Sequence, residues 1–220
     1  MRIRKRKWVD EELEECKFMY NNPKENKGNW RSKFKNDYPL YIELGCGKGG
    51  FASQFGAKNI DKNLIAVDMV PAMLGFAKRK IEAEYIEKKV DIDNIAITYW
   101  NIERITEIFD ENDKIERIYI NFCNPWPRGK HNKRRLTHTR QLEQYKTFLS
   151  KDGEIHFKTD DDMLFEVSLS YFKNAGFEIL EEIRDMDINN YPNNLETEHE
   201  KMFKEQGIKI KFLRAKIYGI

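Results

Sequence analysis

The sequence predicts an α/β protein built on one doubly wound, mostly parallel sheet with helices on both faces. Three observations carry this. Short apolar runs alternate with longer helix-like segments, the pattern of repeated βαβ units. A glycine-rich turn, Gly45-Cys46-Gly47-Lys48-Gly49-Gly50, follows the first strong apolar run. The length of 220 residues suffices to bury one such core.

The elements follow in order. Val9 to Tyr20 reads as a helix, with Asp10 as its N-cap and acids in its first turn. Residues 21–39 form a Pro/Gly/Asn-rich connection without a clear period. Strands are expected at 39–44, 63–68, 94–99, 116–122, 153–158, 177–183 and 208–217. Helices are expected between them at 51–58, 71–88, 103–109, 137–149, 161–174 and near 195–205. Seven strands fit one open sheet, and no second core, internal repeat or linker stands out. The expected organisation is therefore residues 1–38 as a basic arm, helix and connection, and 39–220 as a single globular domain.

Composition narrows the function classes. Charged residues are 35% of the chain against a usual ~25%. Yet 39 basic and 37 acidic residues nearly cancel, to a formal +2. The cancellation hides a partition. Residues 1–7 hold Arg2, Arg4, Lys5, Arg6 and Lys7, and 128–135 hold Arg128, Lys130, Lys133, Arg134 and Arg135, with no acid in either block. Setting those ten aside leaves 29 of the 39 basic residues against 37 acids, a net of −8. An acidic body with two basic segments suits polyanion contact, although any one such run can be a solvated face. No apolar stretch approaches the ~18 residues that span a bilayer, and no secretory leader or membrane partner is expected. Cys16, Cys46 and Cys123 are odd in number and widely spaced, so neither a disulfide framework nor a metal site is expected, and a cytoplasmic setting is.

Open α/β sheets bind ligands beyond the C-terminal ends of their strands. After the first strand, Gly45, Gly47 and Gly50 satisfy G-x-G-x-x-G, a pattern that fits a dinucleotide as well as other cofactors. Glycines there let the backbone turn sharply and a ligand come close. Two acids favour a choice. Asp68 ends the second strand, placed to bond ribose hydroxyls. Glu43 sits beside the bend, where it would repel a pyrophosphate and attract a cationic sulfonium. Asn101, after the third strand, has an amide that both donates and accepts, suiting an adenine edge or a plain turn equally well. The fourth strand runs into Asn124-Pro125-Trp126-Pro127-Arg128, a stiff loop holding a flat ring. The basic block follows directly, a combination suited to a base and its phosphates.

These segments together resemble the bacterial tRNA (guanine-N7)-methyltransferases. NPWPRGKHNKRRL is similar to that family's D-P-W-P-K-x-R-H-x-K-R-R-L signature, and E-x-G-x-G-x-G to the first motif of class I S-adenosylmethionine methyltransferases. MRIRKRKW, HFKTD and LETEHEKMFKEQGIKI match further family segments in order. The resemblance implies a Rossmann-like class I methyltransferase fold whose last strand is antiparallel. It implies methyl transfer from S-adenosylmethionine to N7 of a guanosine in the tRNA variable loop, leaving S-adenosylhomocysteine. It implies tRNA as partner, no obligate protein partner, and a monomer or homodimer. Cofactor contacts carry over to Glu43, Gly45, Gly47, Gly49, Asp68, Asn101 and Asn124. Substrate contacts carry over to Arg128, Asp160, Thr197, Glu198, His199 and Glu200. RNA contacts carry over to Lys130, His131, Asn132, Lys133, Arg134 and Arg135, with Arg2, Arg4, Lys5, Arg6 and Lys7 as an arm expected to order on RNA.

The chain departs from the family pattern at several places. Asn124 stands where the family has the aspartate called catalytic, Arg128 replaces a lysine, and His199 replaces a tyrosine. Asn101 is an amide where an acid is common. Guanine N7 carries a lone pair and no proton, so no general base is required. An active enzyme is therefore expected, with Asn124 positioning base or cofactor through its carbonyl and Asp160 and Glu198 supplying negative field. Of Asp160-Asp161-Asp162, Asp160 is expected to face the site and Asp161 or Asp162 to cap the next helix. Trp8, Trp30 and Trp100 read as packing residues. Competing readings are a NAD-dependent oxidoreductase, an amino-group methyltransferase and a non-catalytic RNA-binding module.

Overall fold

The computed structural model describes residues 7–187, 189–192 and 194–219. Arg2, Arg4, Lys5 and Arg6 lie outside them. Lys7 opens the first helix, α1 (Lys7–Glu14).

A short strand β1 (Met19–Tyr20) follows, then β2 (Leu40–Leu44), α2 (Gly50–Lys58), β3 (Asn63–Asp68), α3 (Pro71–Lys88) and β4 (Ile95–Tyr99). Next come β5 (Ile115–Asn121), α4 (Thr139–Tyr145), β6 (Leu149–Thr159), α5 (Asp162–Asn174), β7 (Phe177–Ile183), α6 (Glu198–Glu205) and β8 (Lys211–Ile217). The sheet order is β1-β4-β3-β2-β5-β6-β8-β7. Every pairing is parallel except those of β8, which runs antiparallel between β6 and β7. The chain order reverses at β2, whose neighbours are β3 on one side and β5 on the other. That switch point opens a crevice past the C-terminal ends of β2 and β5.

The sheet forms where it does because its central strands are apolar on both faces. Every residue of β2 and β3 is buried, as a strand covered by helices on both sides requires. Successive side chains then alternate between two cores. Leu40, Ile42 and Leu44 join Ile118, Leu142 and Leu164 on the face of α4 and α5. Tyr41 joins Leu64, Phe51, Leu74 and Val9 on the face of α1, α2 and α3.

Local signals set the helix ends. Pro71 occupies the first turn of α3, where its missing N–H costs nothing. Asp161 caps α5 by accepting the Leu164 N–H at 2.6 Å. Thr197 and Glu200 form a reciprocal capping box on α6.

The seven expected strands are present, and four elements differ. The helix expected over 9–20 stops at Glu14. Asp10 therefore lies inside its first turn instead of capping it, and Met19–Tyr20 joins the sheet edge against Ile97 and Thr98. The Thr98 hydroxyl donates to Tyr20 O at 2.7 Å, fixing this eighth strand. The 103–109 segment is a 3-10 turn (Ile102–Glu107), not an α-helix. Helix α4 ends at Tyr145, and Leu149 already pairs with Ile115. The 21–39 connection is part of the core. Trp30 is wholly buried, donates its indole N–H to Ile108 O, and has its backbone N–H held by Asp113. Of the other packing tryptophans, Trp8 meets Phe76 edge-on under the Arg79 guanidinium, and Trp100 donates to Arg104 O.

Candidate active site

The glycine turn after β2 takes three left-handed residues, with φ of +82° at Gly45, +53° at Gly47 and +75° at Gly49. A side chain at Gly49 would strike the helix behind it, its Cβ lying 2.8 Å from Ala77 Cα. At Gly47 nothing lies within 4 Å of such an atom. The turn is thus pressed against α3 at one end and open at its middle. Asp68 holds it there. Its two carboxylate oxygens accept the N–H groups of Gly47 and Val70, both at 2.8 Å.

A cavity of about 470 Å³ opens beside this turn, at the switch point. Glu43, Gly45, Gly47, Phe122, Glu198 and His199 contribute to its lining. Glu43 is 2% exposed at the end of β2. The Asn121 amide donates to its Oε1 at 3.2 Å, and its Oε2 is buried without a hydrogen-bond partner among the described residues. Burial pushes the Glu43 carboxyl up to about 8, against the Asn121 bond and helped by the nearby Asp68 charge. A buried carboxylate with a spare lone pair suits a cationic ligand. Cys46 also faces this cavity, but burial raises its thiol well above the ordinary range, so it stays protonated and unreactive.

Asn121 at the end of β5 and Phe122 at the start of the following loop also line the cavity. Phe122 and Trp126 are left-handed without being glycine, at φ +51° and +44°. Such residues persist only where surroundings hold them. The Asn124 carbonyl accepts the Trp126 N–H at 3.0 Å, an Asx turn that shapes the loop from within. Asn124 itself is exposed. The Phe122 ring stacks on His199, with centroids 5.6 Å apart and planes within 18°.

The expected site residues divide. Glu43, Gly45, Gly47, Thr197, Glu198 and His199 meet at the cavity. Asp68 and Gly49 lie behind it, as supports of the turn. Asn101 is exposed and accepts the Glu103 N–H, capping the 3-10 turn. Asp160 is half-buried between β6 and α5, with Asp161 as the cap. Arg128, Lys130, Lys133 and Arg134 are exposed on and before a 3-10 turn (Gly129–Arg134), while His131 and Asn132 are half-buried.

Two residues depart from expectation. Glu200 is fully buried and cannot meet a substrate. Its Oε1 pairs with Lys158 Nζ at 2.9 Å and its Oε2 accepts the Thr197 N–H at 2.7 Å. Arg135 is 3% exposed and bonds the loop carbonyls of Pro125 and Trp126, so it is no surface partner for a phosphate. The capping box was readable from T-E-H-E alone; Arg135's burial was not, because the run KHNKRRL carries no period that singles it out.

Three contributors went unrecognised in the sequence: Asn121, Phe122 and Lys158. Lys158 ties Glu200 and Asn194 Oδ1 to the sheet, which fixes the segment carrying Glu198 and His199. Asn121 was legible only as a strand's last residue; its use follows from lying one strand over from Glu43. Among the described residues no cluster of His, Cys, Asp or Glu could hold a metal ion, and no helix is long and apolar enough to cross a membrane.

Comparison with known proteins places the chain by sequence and fold. A family model described as "Putative methyltransferase" matches residues 37–213. Among curated relatives, the tRNA (guanine-N(7)-)-methyltransferase of Clostridium perfringens (strain 13 / Type A) is 57% identical, covering 98% of this chain and 99% of its own. The enzyme of the same name from Clostridium botulinum (strain Alaska E43 / Type E3) is 56% identical over 98% of both chains. That from Acetivibrio thermocellus is 50% identical, over 98% and 99%. Among solved structures, the 16S rRNA methyltransferase KamB superposes with a TM-score of 0.60 at 13% identity, over 85% of this chain and 90% of that one. The antibiotic-resistance methyltransferase Kmr gives 0.56 at 14%, over 86% and 90%. Both share the fold.

Proposed function

The chain belongs to the tRNA (guanine-N(7)-)-methyltransferase family, and from that premise we propose which of its residues carry the reaction. It is an enzyme that methylates N7 of a guanosine in tRNA; the guanosine of the variable loop is the substrate position we assign. S-adenosylmethionine supplies a methyl on a positively charged sulfur, which the N7 lone pair displaces, the S–CH3 electrons returning to sulfur. No proton moves, so no residue need act as a base. Catalysis is then mostly alignment, an effect that can contribute ~7–11 kcal/mol.

The observation carrying the assignment is the orphaned Oε2 of Glu43 in a cavity beside open glycines. A sulfonium and an ammonium are the cations this oxygen would accept. Asp68 keeps a lone pair on each oxygen for ribose hydroxyls while holding Gly47. Asn101 is assigned to the adenine edge. Phe122 and His199 offer flat faces to the guanine, and Glu198 an acceptor for its N–H donors, once released from Lys80. Asn124 contributes by shaping the loop. Arg128, Asp160 and the cations Lys130, Lys133 and Arg134 meet the tRNA, joined by the arm from Arg2 to Lys7. Residues 39–220 carry the methyltransferase site, with α1, β1 and Trp30 packed into the same core, and the protein works in the cytoplasm.

The test is methyl transfer from labelled S-adenosylmethionine to a tRNA transcript with and without its variable-loop guanine. Label at N7 of that guanine alone is expected. Transfer to an exocyclic amine, or equal labelling of both transcripts, would overturn the reading. Asn124→Asp should change kcat without changing the methylated atom.

A further inference from the structure

Arg135 is charged and 3% exposed, and its side-chain bonds among the described residues go to carbonyls, a phenol and a thioether rather than to a carboxylate. A cation buried without an acid is costly unless its donors are used. Here four of the five are used, on the 125–126 loop and on α5. Nε donates to Pro125 O at 2.9 Å and a terminal nitrogen to Trp126 O at 3.1 Å. That same nitrogen also donates to Met163 Sδ at 3.4 Å, and the other terminal nitrogen donates to the Tyr171 hydroxyl on α5 at 3.2 Å. The planar guanidinium meets the two successive carbonyls and the phenol from three separate nitrogens held in one fork, whereas a lysine's three donors radiate from a single nitrogen and do not reproduce that spacing.

The two carbonyls flank the left-handed Trp126, a conformation that needs outside support. Arg135 also follows directly on the basic turn, and its own N–H caps that turn on Asn132 O at 3.0 Å. Residues 125–135 are thereby closed into a ring, with exposed Lys130, Lys133 and Arg134 on one side and the Asn124–Trp126 loop on the other. Arg134 reaches back over the Trp126 ring, 5.2 Å from its centroid.

We propose that Arg135 is a positioning residue that locks the 124–128 loop to the basic turn, so that phosphates held by the turn set the position of the chain running back to Phe122 at the methyl-transfer cavity. This rests on the methyltransferase reading above. It acts on turnover, not on RNA affinity.

The experiment compares full-length Arg135→Lys with Arg134→Gln, measuring kcat, KM, and tRNA affinity against salt. Removing a cation that neutralises one phosphate lowers the log–log salt slope by about 0.7–0.9. That decrease is expected for Arg134→Gln and not for Arg135→Lys, whose tRNA affinity stays within about threefold. For Arg135→Lys kcat is expected to fall about 100-fold, the scale of an ~1 Å misplacement. Wild-type kcat in Arg135→Lys, or a slope lowered as in Arg134→Gln, overturns the proposal. If Arg135→Lys fails to fold, Tyr171→Phe removes one partner only; it should lower kcat several-fold at unchanged slope, and unchanged kcat overturns the proposal. Amide exchange over 124–135 should quicken in either variant, and unchanged exchange also overturns it. That readout needs no methyl transfer, so a wild-type protein inactive on tRNA would refute the functional reading and still test the lock.

Discussion

Asn121 donates its amide to Glu43 Oε1 at 3.2 Å, and Glu43 Oε2 is buried without a hydrogen-bond partner among the described residues. The pair sits on neighbouring strands at the switch point, so the sheet itself builds one half-satisfied carboxyl group beside the glycine turn.

That carboxylate predicts a pH effect. Burial holds Glu43 up to about 8, above its ordinary 4.5, so the ligand-free folded state binds this proton more tightly than the unfolded chain does. The contribution to stability is full below about 4.5 and is lost as pH rises through about 8. A cationic ligand needs the ionised form. The ratio of wild-type to Glu43→Gln affinity for S-adenosylmethionine should therefore grow between pH 6 and 8 in calorimetry. A ratio flat with pH would show that Glu43 does not hold the cation.

The glycine turn predicts a contrast between two alanines. Gly49→Ala forces a methyl into Ala77 and should lower Tm by several degrees. Gly47→Ala meets open space and pays only the left-handed strain, ~1–2 kcal/mol, yet places its methyl at the cavity. It should fold and bind S-adenosylhomocysteine at least tenfold more weakly. Equal melting losses in the two would contradict this.

Glu200 and Glu198, two residues apart, should behave oppositely in urea unfolding. Glu200→Ala strands the Lys158 ammonium in the interior and should cost about 3–5 kcal/mol. Glu198 is exposed and paired with Lys80, so Glu198→Ala should cost less than about 1 kcal/mol. Comparable losses would return Glu200 to the surface role expected from the sequence.

The arm gives a salt-dependence prediction. Deleting residues 2–6 should weaken tRNA binding and flatten the log–log salt slope by about 0.7–0.9 for each phosphate the arm had neutralised. An unchanged slope in the truncated protein removes the arm from the RNA surface.

The parts legible in the sequence were those set by local chemistry. Alternation of apolar runs marked the strands, glycines marked the turn, and the acids just before a helix narrowed its cap to Asp161 or Asp162, of which Asp161 serves. What stayed hidden depends on partners distant in sequence. Met19–Tyr20 is a strand only because Thr98 and Ile97 lie alongside. Lys158 and Glu200 pair across 42 residues, and Arg135 finds Tyr171 across 36. A lysine or arginine in a charged run looks like solvent-facing charge until tertiary packing buries it. The same holds for Asn121, whose use is fixed by sheet order.

Sheet order also bears on how the protein is made. Strand β8 is synthesised after β7 yet lies between β6 and β7. Until it enters, β7 has no partner and one edge of β6 stands open, two bare ladders on a chain still leaving the ribosome. Unpaired edges recruit other strands. Substitutions that slow the entry of β8 would therefore show themselves as aggregation and low yield of nascent protein, before any loss of affinity or turnover could be measured.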